Sequence, residues 1–169
     1  LAFPIAEGDV IGELVGTVGF FNGTTQIGNI EILTITGNDP LPEPIEVTSS
    51  ELALNGELYE SCLIEICGLS VLDTGDEWPP EGSNANVDID DGSGPTIMRI
   101  DLDTDIDGSP SPLEPFTSEG LGSQFDSSGP YDSGYQIKPR RRADIRDGED
   151  CGSVPTVEKT WGQIKDRYR

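Results

Sequence analysis

The chain contains no histidine, and it has only three cysteines and one methionine in 169 residues. Histidine is the commonest general base and a frequent zinc ligand, so its absence excludes Ser-His-Asp and Cys-His catalytic arrangements and most zinc sites. A pair of carboxylates remains as an acid and a base, but among 32 acidic residues two close carboxylates are expected by chance. We therefore predict that the protein is not an enzyme.

Long apolar runs are missing as well. No segment approaches the roughly 18 consecutive apolar residues that a membrane-spanning helix needs, and we predict no membrane insertion. The chain begins LAFPIAEGD, without a methionine and without a basic stretch followed by an apolar signal core. We expect a mature or trimmed product of a secreted protein, located outside the cell.

Basic residues are few. Ten lysines and arginines stand against 32 acidic residues, which gives a formal net charge of −22. Such a surface repels phosphate backbones and anionic lipids, so cations are the natural partners and nucleic-acid binding is not expected. The charge also keeps a secreted protein soluble, and composition does not separate the two explanations. The one basic run, Arg140 to Arg142, is followed by the acidic sequence DIRDGED within a few residues.

Glycine and proline are plentiful, with 21 and 13 residues, which favours short strands joined by turns. Residues 10 to 36 contain two β-rich runs around Phe21-Asn22-Gly23-Thr24, and Asn-Gly is the sequence that a tight hairpin turn prefers. We predict a β-hairpin in residues 1–38. Two strands alone are marginally stable in water, so this piece is interpreted as a partial β module that needs a partner.

The remaining chain divides into three segments. Residues 39–56 are a proline-rich linker with a short helix predicted at 49 to 54, for which Ser49 or Ser50 is the candidate N-cap. Residues 57–146 carry five strand patterns separated by turn signals. The strands are predicted at 59 to 73, 85 to 90, 95 to 102, 116 to 125 and 134 to 145.

Five short strands without a long helix between them predict an all-β fold, an OB-like five-stranded antiparallel barrel. The helix that commonly joins strands three and four is replaced here by a loop. Residues 147–169 form a tail with a predicted short amphipathic helix. Its apolar face contains Trp161, Ile164 and Tyr168, which are candidates for assembly contacts.

The loop after the third strand contains DTDIDGSPSPLE at 103 to 114, which has the spacing of an EF-hand calcium loop. An EF-hand loop lies between two helices. Here the preceding residues alternate like a strand, and Pro110, Pro112 and Pro115 forbid a regular helix on the other side. The EF-hand interpretation is therefore rejected.

Calcium remains a candidate ligand without an EF-hand, because alternate residues of an extended strand share a face and their carboxylates can converge. The alternative is a solvated acidic edge that discourages association between sheets. The candidate ligands are Asp101, Asp103, Asp105 and Asp107, with Asp88 and Asp90 on the neighbouring strand.

The cysteines allow one disulfide and one spare thiol. Cys62 and Cys67 are five residues apart on one predicted strand, so they face opposite sides and do not bond each other. Cys62 alternates with Ile64 and Ile66 and is expected to be buried. For Cys67 we predict a disulfide with Cys151 that fastens the tail to the barrel, with three free thiols or a bond between chains as the alternatives.

Three runs carry a family resemblance. They are AEGDVIGELVGTVGFFNGTTQIGNIEILTI, YESCLIEICGLSVLDTG with the following GSNANVDIDDGSGPTIMRIDLDTDIDG, and GLGSQFDSSGPYDSGYQIKPRRRADI. The second and third runs resemble the OB-fold modules that accompany endonuclease/exonuclease/phosphatase domains in secreted bacterial nucleases and related extracellular proteins. The first run is similar to the second half of another such module. The phosphoesterase domain has no counterpart here, so the resemblance implies no catalytic residue.

Two functions follow as expectations. The first is a structural or self-assembly module, a head-to-tail subunit of a filament or tube that is held by strand complementation and stabilised by calcium. The second is an accessory domain of a secreted nuclease that binds nucleic acid or a cell-surface ligand. Aromatic residues that such a domain would offer to bases, Trp78, Phe125, Tyr131 and Tyr135, are more often packing residues in a small β protein.

Overall fold

The computed structural model describes residues 4–73 and 78–148. Within these ranges the chain forms two β-sheets and one short α-helix, so the all-β prediction is confirmed. No helix in these ranges has the length and apolarity needed to cross a membrane. The C-terminal helix predicted from the sequence, with Trp161, Ile164 and Tyr168, lies outside the described residues.

The N-terminal sheet is a hairpin of strand β1 (Asp9–Phe21) and strand β2 (Thr24–Asn38). Its turn lies at the predicted place, because Asn22 and Gly23 have φ angles of 49° and 95°. Two successive positive φ angles match the right-handed twist of the strands, and asparagine followed by glycine tolerates them at little cost. The hairpin prediction is confirmed.

The second sheet closes into a barrel. Its strand order is β4-β5-β6-β8-β7, and β7 pairs back with β4. The OB-like five-stranded barrel is therefore confirmed with one correction. Strands β6 and β8 run parallel, so the barrel is mixed where an antiparallel barrel was predicted. The strands are β4 (Leu63–Val71), β5 (Ala85–Asp90), β6 (Thr96–Ile100), β7 (Phe116–Gln124) and β8 (Tyr135–Lys138).

Two short strands extend the barrel sheet at its ends. Strand β3 (Ile45–Glu46) pairs in parallel with β4, and strand β9 (Ile145–Asp147) pairs with β7. The last predicted strand, 134 to 145, is thus two strands, separated by a turn that contains Pro139 and a 3₁₀ helix at Arg142–Asp144. Proline cannot donate a ladder hydrogen bond, so a break at this position is expected.

Core side chains alternate along the strands with a period of two residues. Each fully buried aliphatic side chain stabilises the fold by about 1.5–3 kcal/mol. In β4 the period slips by one residue, because a bulge with Gly68 at φ 66° separates buried Ile66 from buried Leu69. The bulge adds one residue to the strand, and the residues on either side of it still point their apolar side chains into the core. The fully buried aliphatic residues are Leu52, Ile64, Ile66, Leu69, Val87, Ile89, Met98, Ile100, Ile106 and Ile137.

Helix α1 (Ser49–Asn55) belongs to the barrel, since its Leu52 is fully buried and it packs against β5, β6 and β8. Val47, just before it, is also in the core. The segment predicted as a linker is therefore part of the barrel domain. The N-cap is Thr48, whose side chain accepts a hydrogen bond from Glu51 N at 3.1 Å, and not Ser49 or Ser50 as the sequence suggested.

Ser49 instead ties the helix to the turn between β5 and β6. Its Oγ donates to Asp91 Oδ1 at 2.6 Å, and its backbone nitrogen donates to Asp91 Oδ2 at 3.1 Å. Asp91 Oδ1 also accepts from the backbone and hydroxyl groups of Ser93. Burial acts to raise the pKa of Asp91, but the hydrogen bonds from Ser49 and Ser93 outweigh it and hold the pKa below its usual value.

Replacing Asp91 by asparagine tests this clamp. The amide group of Asn would meet donors on every side, so we expect the free energy of unfolding to fall by about 1–2 kcal/mol at pH 7. Because the native pKa of Asp91 is lowered, its stabilisation is complete above the unfolded pKa of about 3.9 and disappears as the pH falls through the native value. Urea denaturation should therefore show the full difference at pH 7 and a smaller one near pH 2.5, below the unfolded pKa. An equal difference at both pH values would contradict the proposed role of the charge.

Candidate functional site: the hairpin and the groove beneath it

The tip of the hairpin is attached to the barrel by hydrogen bonds. Thr24 Oγ1 donates to the carbonyl of Gln124 at 2.7 Å, and the amide of Asp126 donates to the carbonyl of Asn22 at 2.7 Å. Both partners lie at the end of β7 or just after it. The turn residues that make the hairpin tight thus also join it to the barrel.

Aromatic contacts reinforce this attachment. Phe20 meets Tyr131 edge to face with ring centroids 4.9 Å apart, and Phe21 meets Phe125 with centroids 6.2 Å apart. Such pairs contribute about 0.5–1.5 kcal/mol beyond the area that they bury. Tyr135 lies in the core and Trp78 packs against it. Trp78 and Tyr135 thus pack in or against the core, whereas Phe125 and Tyr131 contact the hairpin and stay 52 % and 40 % exposed.

The base of the hairpin is joined to the barrel by charge. Glu7 contacts Arg140 Nη1 at 3.1 Å and Arg141 Nη1 at 2.9 Å. Arg140 also binds Glu119 on β7 and Asp144, whose side chain is only 5 % exposed. The basic run seen in the sequence is thus paired with carboxylates, as the neighbouring acidic residues predicted.

Between these two attachments the hairpin is open. Strands β1 and β2 form a two-stranded sheet, and within residues 4–73 and 78–148 no other strand pairs with their outer edges. Adjacent residues in regular register, such as Leu14 and Val15, point to opposite faces, so both faces are apolar. Ten large apolar side chains are exposed, namely Val10, Ile11, Leu14, Val15, Val18, Phe20, Phe21, Ile27, Ile32 and Ile35.

A groove of about 310 Å³ lies where the hairpin tip meets the outer surface of the barrel. Its walls come from β2 on one side and from β5, β6, β7 and β8 on the other. Most of the lining residues are polar, and two phenylalanine rings lie at the rim. The polar side chains include Gln26, Asn86, Arg99, Asp101, Gln136 and Lys138, and the rings are Phe21 and Phe125.

Asp101, a predicted calcium ligand, lies in this groove and binds two cations of the protein. Arg99 Nε donates to its Oδ1 at 2.7 Å, and Lys138 Nζ lies 2.7 Å from its Oδ2. Burial acts to raise the pKa of Asp101, but the hydrogen bonds and charges of Lys138 and Arg99 outweigh it and lower the pKa. The carboxylate is therefore ionised at neutral pH and already neutralised by the protein.

The structure does not assemble the predicted row of aspartates. Strand β6 ends at Ile100, so the alternation that would align the carboxylates stops before Asp101. Asp105 Oδ1 accepts from the backbone of Arg142 at 2.6 Å, and Asp107 Oδ2 accepts from the backbone of Gly82 at 2.5 Å. Within the described ranges no three acidic or cysteine side chains form a group suited to a metal ion.

The other candidate ligands are similarly dispersed. Asp90 Oδ1 accepts from the backbone nitrogens of Gly92 and Gly94, at 2.7 and 3.0 Å, and organises the turn after β5. Asp88 lies on β5 opposite Ile97, and Asp103 is exposed. Calcium binding by Asp88, Asp90, Asp101, Asp103, Asp105 and Asp107 stays a prediction from the sequence.

The acidic loop has a different role that the sequence did not reveal. Ile106, in the middle of DTDIDG, is fully buried in the barrel core. Glu114, at the end of the same motif, accepts a hydrogen bond from the backbone of Val71 at 2.8 Å. The polar groups of the motif thus hold a loop in place so that one apolar residue can reach the core.

The cysteine predictions are tested only in part. Cys62 is a free thiol and is partly buried, next to the core, while Ile64 and Ile66 are fully buried. The predicted partner of Cys67, Cys151, lies outside the described residues, so the disulfide stays a prediction.

No protein-family model matches this chain, and no curated protein matches it. The fold therefore defines the class alone, an OB-like β-barrel with an appended hairpin. The resemblance to OB-fold modules beside secreted nucleases stays an expectation. The function has to be inferred from the geometry of the hairpin and the groove.

Proposed function

We propose that this is a non-catalytic extracellular β module with a structural role, which associates with further copies of itself through the hairpin. The observation that carries the proposal is a hairpin whose two faces are both apolar and whose outer edges pair with no other strand of residues 4–73 and 78–148. Strands that are apolar on both faces are normally covered on both faces. An exposed edge with such faces is a template for pairing with another strand.

The two edges favour a head-to-tail arrangement. The outer edge of β1 and the outer edge of β2 lie on opposite sides of the hairpin. If β1 of one copy pairs with β2 of the next, the contact is between different surfaces and repeats along the chain of subunits. The product is a continuous sheet, held by main-chain hydrogen bonds as in other cases of strand addition. Stabilisation of this assembly by calcium is part of the proposal and is supported by the acidic composition alone.

The test uses a cross-strand pair on the hairpin. Val18 lies directly opposite Ile27, and these side chains are 71 % and 49 % exposed. Changing both residues, Val18→Glu with Ile27→Lys, keeps an attractive pair within the hairpin but adds charge to the proposed contact surface. We expect the unaltered chain to form oligomers or filaments in light scattering and electron microscopy, and the double variant to be monomeric.

The matched control is Leu54→Lys, since Leu54 is 77 % exposed but lies on α1, away from the hairpin. This variant should assemble like the unaltered chain. Each sample is measured with calcium and with a chelator, and faster disassembly in the chelator is expected. A chain that stays monomeric at all concentrations in both conditions would overturn the assembly proposal.

A further inference from the structure

The faces of the hairpin need a cover that pairing at its edges does not supply. Strand addition satisfies the backbone groups of an outer edge, but the side chains project above and below the sheet and stay exposed. Val15 lies directly opposite Ile32, and these side chains are 38 % and 41 % exposed. Strands with apolar residues on both faces are normally covered on both faces, so a further segment is expected on this pair.

An exposed carboxylate lies beside the apolar pair. Glu13 precedes Val15 by two residues, and the register of β1 with β2 is regular between them. Alternate residues of a strand share a face, so the Glu13 side chain projects from the same face as Val15 and Ile32. We call this surface, formed by Glu13, Val15 and Ile32, the open face of the hairpin. It is suited to a segment that is both apolar and basic.

The hairpin has no cation of its own. Residues 1–38 contain four acidic residues and no lysine or arginine, and the first basic residue of the chain is Arg99. Within residues 4–73 and 78–148 every basic side chain contacts a carboxylate, and none of these salt bridges uses Glu13. The basic residues in question are Arg99, Lys138, Arg140, Arg141, Arg142 and Arg146.

The C-terminal segment of the sequence complements the open face. Residues 159–169 contain four basic residues against one acidic residue. Apolar residues recur through the same segment at a helical spacing, and two of them are aromatic rings with a large contact area. The basic residues are Lys159, Lys165, Arg167 and Arg169, and the apolar residues are Val157, Trp161, Ile164 and Tyr168. All of these residues lie outside the described ranges.

The described part of the chain ends close to the base of the hairpin. Arg141 binds Glu7 of the hairpin, and the next residue, Arg142, binds Asp147 at 2.9 Å. The 21 residues that follow Gly148 span at most about 70 Å when extended. Strand β1, with 13 residues, is about 40 Å long. The C-terminal segment is therefore long enough to reach the open face of its own chain, and the covalent connection raises its local concentration there.

We propose that residues 157–168 bind the open face of the hairpin of the same chain. Trp161 and Ile164 cover Val15 and Ile32, and the lysines of the segment neutralise Glu13. Apolar burial supplies the affinity, and opposite charge selects this segment in a chain whose net charge is −22. The contact is independent of the assembly proposed above, because it covers a face of the hairpin and leaves both strand edges open.

Zero-length cross-linking of the full chain tests this contact. A carbodiimide joins a lysine amine to a carboxylate that it touches, and the chain has three lysines. Lys138 is the internal standard, because its Nζ lies 2.7 Å from Asp101 Oδ2. We expect mass spectrometry to find the other two lysines, Lys159 and Lys165, joined to Glu13 about tenfold more often than to Glu43. Glu43 is an exposed carboxylate between β2 and β3.

Variants of the segment separate apolar contact from charge. Trp161→Ser with Ile164→Ser keeps both lysines, and it should lower the yield of the Glu13 cross-link by about tenfold or more. Hydrogen exchange at Val15 and Ile32 should rise in the same variant. The matched control is Gln163→Ser, a polar residue outside the apolar spacing, which should keep the cross-link. The Lys138 cross-link reports in each variant that the barrel is folded.

An equal mixture of unlabelled chains and chains labelled with nitrogen-15 distinguishes contacts within a chain from contacts between chains. Cross-links found solely between labelled and unlabelled chains would assign the open face to the C-terminal segment of a neighbouring copy. Equal yields at Glu13 and Glu43, or a Glu13 cross-link that survives the Trp161 and Ile164 changes, would show that the segment does not recognise this face. No Glu13 cross-link in a dimeric or larger protein would assign the face to a second hairpin, and none in a monomer would leave it uncovered. Each of these results overturns the proposal.

Discussion

Replacing Arg140 by alanine is expected to lower the free energy of unfolding by about 3–5 kcal/mol, a large fraction of the stability of a domain of this size. Arg140 Nε donates to Asp144 Oδ2 at 2.9 Å, and its Nη2 donates to Glu119 Oε1 at 2.6 Å. Burial acts to raise the pKa of Asp144, but the hydrogen bonds of Arg140 outweigh it and lower the pKa. Without Arg140, a carboxylate that is only 5 % exposed loses its principal counter-ion.

The neighbouring arginine provides the control. Arg141 shares two of the three carboxylate partners of Arg140, namely Glu7 and Asp144, but its side chain is 46 % exposed. Exposed ion pairs contribute about 0–1 kcal/mol, so Arg141→Ala should have a small effect. Chemical denaturation of both variants measures the difference. An equal loss of unfolding free energy in the two variants would mean that the burial of Asp144 does not determine how strongly each arginine stabilises the protein.

The Arg140 variant also reports on the hairpin. Arg140 and Arg141 both hold Glu7 at the hairpin base, while the tip is held by hydrogen bonds and aromatic contacts. Loss of Arg140 should therefore increase hydrogen exchange near residue 7 more than near Asn22. Uniform loss of protection along the hairpin would instead indicate that the base contacts hold the whole element.

Replacing Gly122 by alanine is expected to destabilise the barrel by about 3 kcal/mol or more, because the added methyl group meets backbone and not a flexible side chain. A Cβ at Gly122 would overlap the carbonyl oxygen of Tyr59. The chain leading into β4 lies directly on Gly122, whose amide donates to Cys62 O at 2.9 Å. The carbonyl of Gly122 accepts from Ser61 N at 2.8 Å. Alanine therefore forces apart the seam where β4 and β7 close the barrel.

The matched control is Gly28→Ala on β2, where an added Cβ has no atom within 4 Å. A strand glycine without steric constraint tolerates alanine, so the change in stability should lie within about 0.5 kcal/mol. Thermal unfolding compares the two variants. If Gly122→Ala unfolds at the same temperature as Gly28→Ala, the contact between Gly122 and the Tyr59 carbonyl does not limit the stability of the barrel.

Much of the architecture follows from local sequence. Asn22 and Gly23 specify the hairpin turn. The strands predicted at 85 to 90 and 116 to 125 are reproduced by the structure, the second with an end one residue earlier. These features depend on backbone sterics and on a two-residue period, which act over a few residues. The prolines in the loop between the third and fourth barrel strands also predicted that no helix forms there.

The errors have a common cause. The burial of Ile106 was not predicted, because its neighbours in the sequence are acidic. The alignment of Asp101 with the following aspartates was predicted from a continuous strand, but β6 ends at Ile100, one residue before Asp101. The parallel pairing of β6 with β8 and the contribution of α1 to the core depend on residues far apart in the chain. Local pattern contains no information on which distant segment supplies the partner.

The sequence by itself determined the strands, the hairpin turn and the acidic, histidine-free composition, because each of these depends on residue type and short-range sterics. Only the tertiary structure decided that the hairpin lies against the barrel, that no other strand in the described part of the chain pairs with its edges, and that it forms a groove over Gln136. Tyr135 and Ile137 point into the core, so Gln136 faces outward, and burial of an outward-facing residue requires a second element. That element, the hairpin, is more than a hundred residues away in the chain.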